Sequence, residues 1–198
     1  MGRSIYNELS GIVSDEQIKL EEPMKNHTTF RIGGPAKVFV TPRTSEEVRA
    51  IVAVCREGKI PYYIVGNGSN LLVSDRGYEG VIIQIYREMN EIRVEGNTIT
   101  AQAGALLSAI ANRALEEGLA GFEFASGIPG TLGGACIMNA GAYGGEMKDV
   151  IGEVTLLTPE GEVRAVPADQ MEFGYRTSIA ARTGAIVLGA GIQLQRGD

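Results

Sequence analysis

Residues 124–145 read FASGIPGTLGGACIMNAGAYGG. Seven of them are glycine: Gly127, Gly130, Gly133, Gly134, Gly141, Gly144 and Gly145. Glycine at that density is entropically costly to order, and it is kept where backbone takes positive φ or where something approaches very closely. Ile128, Leu132, Ile137 and Met138 are interleaved and serine is scarce, so the stretch is no flexible linker. It reads as an apolar, glycine-rich loop that presents bare peptide edges to something flat or phosphate-bearing. A buried crossing of two elements, with no ligand, would carry the same letters.

A second glycine loop lies upstream. Tyr62 to Val65 is a short strand by its aromatic and β-branched content, and it runs into Gly66-Asn67-Gly68-Ser69-Asn70-Leu71-Leu72-Val73. Gly66 and Gly68 fit the first half of the dinucleotide fingerprint, but Leu71 stands where its third glycine belongs, and the following LLV resembles a strand, not a helix start. No Gly-Lys-Ser/Thr follows either, which excludes the P-loop. What remains is a strand–turn–strand loop with two glycines, a hydroxyl and two amides. Such a loop can turn backbone N–H groups inward as an anion nest, or it can be a plain turn at a sheet edge.

Between and around these loops the periodicities alternate between helix and strand. Ser4 to Val13 carries apolar residues at helical spacing. Thr28, Phe30 and Ile32 alternate with polar residues before Gly33, Gly34 and Pro35, and Lys37 to Thr41 is a strand. Thr44 and Glu47 form a capping-box signature, followed by Val48, Ile51, Val52 and Cys55 on one helical face. Gly58 and Pro61 end that helix. Gly80 to Tyr86 is a nearly continuous apolar strand covered on both faces. Ile92–Glu95 and Thr98–Ala101 flank Gly96-Asn97 as a two-residue hairpin. Leu106, Leu107, Ile110, Ala111, Ala114 and Leu115 mark a second helix closed by Gly118. Glu153 to Thr158, Glu162 to Val166 and Ala185 to Gln195 read as strands. The composition break between Asp75 and Gly80 divides the chain into two α+β subdomains, 1–77 and 78–198. Each has one good helix and one glycine loop, which suggests one ligand shared by the two loops.

Composition sets the outer limits. Of 198 residues, 44% are hydrophobic and 21% charged, with a net charge of −6. That length suits one or two domains. An acidic balance without a Lys/Arg cluster argues against nucleic acid and anionic membrane as partners. No apolar run approaches the roughly 20 residues that span a bilayer, and the first residues lack a signal-peptide core. Two cysteines, Cys55 and Cys136, make no disulfide framework. A reducing cytoplasm is the expected setting. A single histidine, His27, and no Cys/His cluster leave no zinc-binding pattern.

The Thr28–Ala36 segment TTFRIGGPA, the loop Gly66–Leu72 and the pair Gly127–Gly134 with Asn139–Gly145 occur in that order, followed by Tyr175-Arg176-Thr177-Ser178. Together they resemble the enolpyruvyl-UDP-N-acetylglucosamine reductases of bacterial cell-wall synthesis, the MurB family, over nearly the whole chain. The resemblance implies an α+β, two-subdomain FAD-binding domain of the vanillyl-alcohol-oxidase/PCMH type. It implies that Gly66, Asn67, Gly68, Ser69 and Asn70 cradle the FAD pyrophosphate, with Ile64 and Leu71 beside them. It implies that Ser126, Gly127, Ile128, Pro129, Gly130, Thr131, Gly133, Gly134 and Ala140 accompany the flavin. In that family NADPH reduces FAD, and flavin N5 delivers hydride to the enolpyruvyl group of UDP-N-acetylglucosamine enolpyruvate. Arg176 is the implied catalytic residue, and with Tyr175 the implied substrate contact; a planar, permanently charged guanidinium suits a carboxylate and a developing enolate. From the residues alone, Arg176 would read as a surface ion pair. Related oxidases attach FAD through histidine, but His27 lies outside both glycine loops, so FAD is expected to be non-covalent. Members of the family continue into a substrate domain that carries a proton-donating serine and an assisting glutamate. The expectation is a FAD-binding portion cut before that domain, with little or no turnover; a flavin-binding module without activity of its own is the alternative.

Overall fold

The structure, a computed structural model, describes residues 2–197. The chain divides into two units between Met89 and Asn90. The first unit opens with helix α1 (Gly2–Leu9), which buries Ile5 and Leu9. Its sheet comprises β1 (Ile18–Pro23), β2 (Pro35–Val40), β3 (Tyr62–Val65) and β4 (Tyr78–Gln84), in the order β1-β2-β4-β3. β1 and β2 are antiparallel, pairing Ile18 with Val40 and Glu22 with Ala36. β4 lies parallel to both neighbours, with Val81 opposite Val38 on one side and Tyr62 on the other. A central strand covered on both faces needs a continuous apolar run, and Val81, Ile82 and Ile83 are all buried.

Helix α2 (Ser45–Glu57) connects β2 to β3. Its start is capped as the sequence suggests: the Glu47 N–H donates to Thr44 Oγ1 at 3.1 Å. Glu47 does not complete the capping box, however. Its carboxylate accepts from the Arg43 N–H at 2.7 Å and from Gln17 Nε2 at 2.9 Å, which ties the helix start to the segment before β1. Val48, Ile51, Val52 and Cys55 are fully buried, as their spacing requires.

Two expectations fail here for one reason. Residues 71–73 form no strand, and the division does not fall at Gly77. β3 and β4 run parallel as neighbours, so the chain between them must travel back along the sheet. Leu71 and Val73 pack against the cluster of Met24, Ala36, Phe39, Val65 and Ile82, while Leu72 is exposed. The alternation is genuine, but it belongs to a crossover without a ladder partner. The composition break at its end leads into β4, which pairs within the first unit.

The second unit is built on a five-stranded antiparallel sheet in the order β11-β10-β12-β6-β5. Its strands are β5 (Ile92–Glu95), β6 (Thr98–Gln102), β10 (Ile151–Leu157), β11 (Val163–Pro167) and β12 (Ile186–Gln193). The β5–β6 hairpin closes at Glu95–Thr98 around Gly96, whose φ of 62° suits the turn. β12 is central and buried on nearly every residue, so it does not alternate along its length. Helix α3 (Leu107–Glu116) buries Leu107, Ile110 and Ala114, whereas Leu115 points to solvent. β7 (Leu119–Ala120) pairs with β13 (Gln195–Arg196).

Residues 124–145 are not a loop throughout. They contain the short helix α4 (Leu132–Ile137) and a hairpin of β8 (Gly141–Ala142) and β9 (Gly145–Glu146). Helix α4 packs on β12 and leads, through the 138–150 segment, to β10. A last short helix, α5 (Ile179–Thr183), is capped by Ser178, whose hydroxyl accepts from the Ala181 N–H. Ile83→Ala, at a fully buried position near the end of β4, is expected to lower unfolding stability by about 2–5 kcal/mol through lost burial and a residual cavity; a urea titration followed by far-UV circular dichroism measures it.

Candidate functional site

Each unit contributes one irregular segment of the kind that binds ligands. In the first unit, β3 ends at Val65 and the chain enters residues 66–70 at the carboxyl end of a parallel pair. Open α/β sheets bind their ligands in the crevice outside those carboxyl ends. The Gly66 carbonyl accepts from Gln84 Nε2 at 3.1 Å, which joins the loop to the end of β4. Gly68, at φ 70°, is buried against the backbone of residues 27 and 28. A Cβ placed there would stand 1.9 Å from the His27 carbonyl oxygen. The Thr29 N–H donates to the Gly68 carbonyl at 3.0 Å. Ile64, Gly66, Asn67 and Ser69 are half-buried, Asn70 is exposed, and the Leu71 side chain is committed to the core.

An open cleft of about 460 Å³ lies beside this loop. Asn26, His27, Thr28, Thr29, Thr41, Asn67, Gln84, Tyr86, Arg87 and Glu88 line it. The lining is polar, and the Arg87 guanidinium sits over the Tyr86 ring at 5.6 Å. Of the residues singled out from sequence, only Asn67 lines this cleft; the rest of the lining was missed. The TTFRIGGPA motif was the one signal within reach, since it begins at Thr28. His27, set apart from both glycine loops by sequence position, stands against Gly68 in space.

In the second unit the glycine-rich segment is anchored along residues 103–107. The Leu107 N–H donates to the Gly130 carbonyl at 3.0 Å, Leu132 N–H to Ala105 O at 2.8 Å and Gly133 N–H to Ala103 O at 2.8 Å. Gly133 has no room for a side chain, because a Cβ would lie 2.9 Å from that of Ala103. Gly127 is the opposite case: it is exposed, and a Cβ there would meet nothing within 4 Å. Ser126, Pro129 and Gly134 are also exposed, Ile128 is half-buried, and Thr131 is buried. Ala140 is buried, with its N–H given to Ala135 O and its carbonyl accepting from the Met147 N–H. Ala140 therefore fastens the segment, with its N–H and one carbonyl lone pair engaged inside the unit.

Tyr175 and Arg176 occupy the tip of a tight turn closed by the Gly174–Thr177 bridge. Both side chains are exposed, and Arg176 sits in the left-handed region at φ 55°. Two buried polar residues hold this turn to the end of α4. Asn139 Nδ2 donates to the Gly174 carbonyl and to Glu146 Oε2, each at 3.0 Å, and Asn139 Oδ1 accepts from the Lys148 N–H at 2.9 Å. Ser178 Oγ donates to the Ile137 carbonyl at 2.7 Å. The Lys148 ammonium, 2.7 Å from Glu146, holds that carboxyl below its ordinary range, helped by Asn139 and by the field of Arg176. Arg176, Glu146, Asn139 and the 139–148 hairpin thus form one connected group. Burial pushes the Cys136 thiol up to about 12 and the Cys55 thiol up to about 11, so neither supplies a thiolate nucleophile.

The model of a family described as FAD binding domain matches residues 36–166. A UDP-N-acetylenolpyruvoylglucosamine reductase from Clostridioides difficile strain 630 is 50% identical over 196 residues, which is 99% of this chain and 64% of that protein. The crystal structure of a UDP-N-acetylenolpyruvylglucosamine reductase (MurB) from Thermus caldophilus superposes with a TM-score of 0.76 at 34% identity, covering 91% of this chain and 62% of that one. The structure of p-cresol methylhydroxylase aligns with a TM-score of 0.71 at 17% identity, over 98% of this chain and 43% of that one, a likeness of fold alone. The chain thus spans less than two-thirds of the length of the curated relatives it matches.

Asn139→Ala removes three hydrogen bonds and leaves the Gly174 carbonyl without that donor. The expected cost is about 1–3 kcal/mol. Hydrogen exchange should show faster amide exchange in residues 139–148 and 174–178, with the β5–β6 hairpin unchanged.

Proposed function

The chain belongs to the FAD binding domain family, and from that premise we propose that it holds FAD non-covalently and serves a reductase of peptidoglycan precursor synthesis. In this reading NADPH is the reductant, UDP-N-acetylglucosamine enolpyruvate is the substrate and UDP-N-acetylmuramate is the product. The fold is α+β, of the type shared with p-cresol methylhydroxylase. The observation that carries the reading is the 66–70 loop: a side-chain-poor turn at the carboxyl end of parallel strands, beside a polar cleft of about 460 Å³.

The residues present fit the cofactor. Gly68 brings main chain where no Cβ could stand, and Asn67, Ser69 and Asn70 add neutral donors, which together suit a diphosphate. Gly127 leaves open space at the surface of the second glycine segment, where a flat ring can approach the main chain. FAD, when bound, supplies a two-electron carrier that accepts and returns hydride. Arg176 pairs its planar guanidinium with the carboxylate of the enolpyruvyl group and stabilises charge that develops there. Tyr175, beside it on the same turn, supplies an aromatic face and a phenol. A cytoplasmic setting agrees with two cysteines that are free and buried, and no helix among the described residues is long and apolar enough to cross a membrane.

The purified protein should show flavin absorption in the visible blue, and acid precipitation should leave the colour in the supernatant. Colourless protein that takes up no FAD on dialysis would remove the cofactor and the reading with it. Gly68→Ala should abolish FAD binding, because a methyl there meets the His27 carbonyl. Gly127→Val should fold normally and weaken FAD; full affinity in that variant would show that the ring lies elsewhere. Arg176→Ala should retain FAD and, introduced into a full-length reductase that contains this segment, should leave reduction by NADPH intact while flavin reoxidation by the enolpyruvyl substrate slows by about 10²–10³-fold. Stopped-flow absorbance separates the two half-reactions, and slowing of the first alone would contradict the role of Arg176.

A further inference from the structure

The sequence gives the only histidine no role, and its neighbourhood in space does. Gly68 is moulded on the backbone of residues 27 and 28. Besides the 1.9 Å approach to the His27 carbonyl oxygen, a Cβ on Gly68 would lie 2.9 Å from the His27 carbonyl carbon and 3.0 Å from Thr28 Cα. The Thr29 N–H then fixes the Gly68 carbonyl at 3.0 Å. The shape of the 66–70 loop is therefore set by whatever holds residues 27–29.

Backbone bonds hold part of that segment, His27 N–H to Met24 O at 2.8 Å and Arg31 N–H to Thr28 O at 3.1 Å, and the His27 imidazole is the side-chain link to the sheet. Its Nε2 lies 2.8 Å from Glu22 Oε1 on β1, and both side chains are 16% exposed. Its ring stacks on Phe39 of β2, with centroids 4.1 Å apart and planes at 27°. Phe39 is in the core, so the ring rests on an immobile surface. One side chain thus bolts the 27–29 turn to two adjacent strands. The Thr28 hydroxyl, which donates to the Ile32 carbonyl at 3.0 Å, holds the turn only to its own continuation.

We propose that His27 is a positioning residue for the phosphate-binding loop: fastened to Glu22 and seated on Phe39, it sets the backbone against which Gly68 rests, and so sets the loop's grip on a diphosphate. The inference rests on the FAD reading above and names the residue pair that governs that site. His27 also lines the cleft beside Asn67, so displacement of its ring alters the wall and the loop together. A hydrogen bond in a mostly dehydrated place is stronger than one in water, and losing one partner strands the other. Relaxing the turn by a few tenths of an ångström is enough to misdirect several loop N–H groups at once.

The test compares FAD with ADP, which carries the diphosphate and no isoalloxazine. Calorimetry on the whole chain should show that Glu22→Ala and His27→Phe each weaken ADP and FAD about tenfold. His27→Phe keeps an aromatic ring over Phe39 and loses only the polar link. His27→Gln keeps a donor toward Glu22 and should stay within about threefold of the parent. The double variant Glu22→Ala/His27→Phe should bind no worse than the weaker single variant, the non-additivity expected of one shared link. Far-UV circular dichroism confirms that each variant is folded at the assay temperature; should His27→Phe not fold, Glu22→Ala and Glu22→Gln carry the comparison. A residue that merely stabilises the fold would lower the unfolding midpoint and leave the affinities of folded protein unchanged, and that result overturns the proposal. Additive losses overturn it as well. If the parent chain binds FAD and ADP while the variants bind equally well, only this inference falls; if the parent binds neither, the flavin reading falls and takes the inference with it.

Discussion

β3 and β4 lie side by side and parallel with no helix between them, and most of the first unit follows from that. Only twelve residues separate Val65 from Tyr78. In that span the chain must leave the carboxyl end of one strand and return to the amino end of its neighbour, which is close to the shortest crossover parallel pairing allows. Such a crossover cannot form a ladder of its own, yet its backbone polar groups still need partners. They find them in the segment that joins β1 to β2. Thr29 N–H meets Gly68 O, Gly34 N–H meets Ser74 O, and the two irregular segments run together along the unit.

The arrangement explains why a loop is rigid. Leu71 and Val73 anchor the crossover in the cluster around Met24, Phe39 and Ile82, so residues 66–70 are fixed at both ends. A turn fixed in this way has little backbone entropy left to lose. The requirement for glycine at position 68 is therefore tertiary before it is functional: the backbone of a distant segment occupies the place of its side chain.

How much of this the sequence discloses depends on whether the pattern and the partner are local. Helix α2 was legible because Thr44 and the Val48–Cys55 face carry both cap and periodicity in one stretch. The β5–β6 hairpin was legible because Gly96 fixes a two-residue turn between alternating flanks. The crossover was not, since Leu71 and Val73 alternate as a strand would, and only the distant position of β4 denies them a ladder. Helix α4 was hidden by Gly133 and Gly134, which suit a loop by propensity; Gly133 is in the helix because it packs on Ala103. The cleft was hidden for a simpler reason. Its lining comes from residues 26–29, 41, 67 and 84–88, four stretches that no local pattern connects. The glycine loops themselves and the Tyr175-Arg176 tip were visible as motifs, while the bracing contacts made by His27, Asn139 and Ser178 were not.

Backbone strain occurs in both units, with Glu21, Arg31 and Lys59 at positive φ in the first, and in the second it gathers around the exposed Arg176. The second unit's non-glycine residues with positive φ are Asn139, Tyr143, Glu172 and Arg176, at 44°, 53°, 48° and 55°, and all belong to the 139–148 and 171–178 segments. Each costs about 1–2 kcal/mol relative to ordinary backbone, so something must hold them. Asn139 does so through the Gly174 carbonyl, and Ser178 through the Ile137 carbonyl, on either side of Arg176. The direction in which the Arg176 side chain leaves the main chain is thus dictated by backbone geometry set during folding. An exposed arginine ordinarily loses much rotamer freedom when it meets an anion. One whose stem is already directed loses less, which is the advantage a strained turn gives an exposed guanidinium.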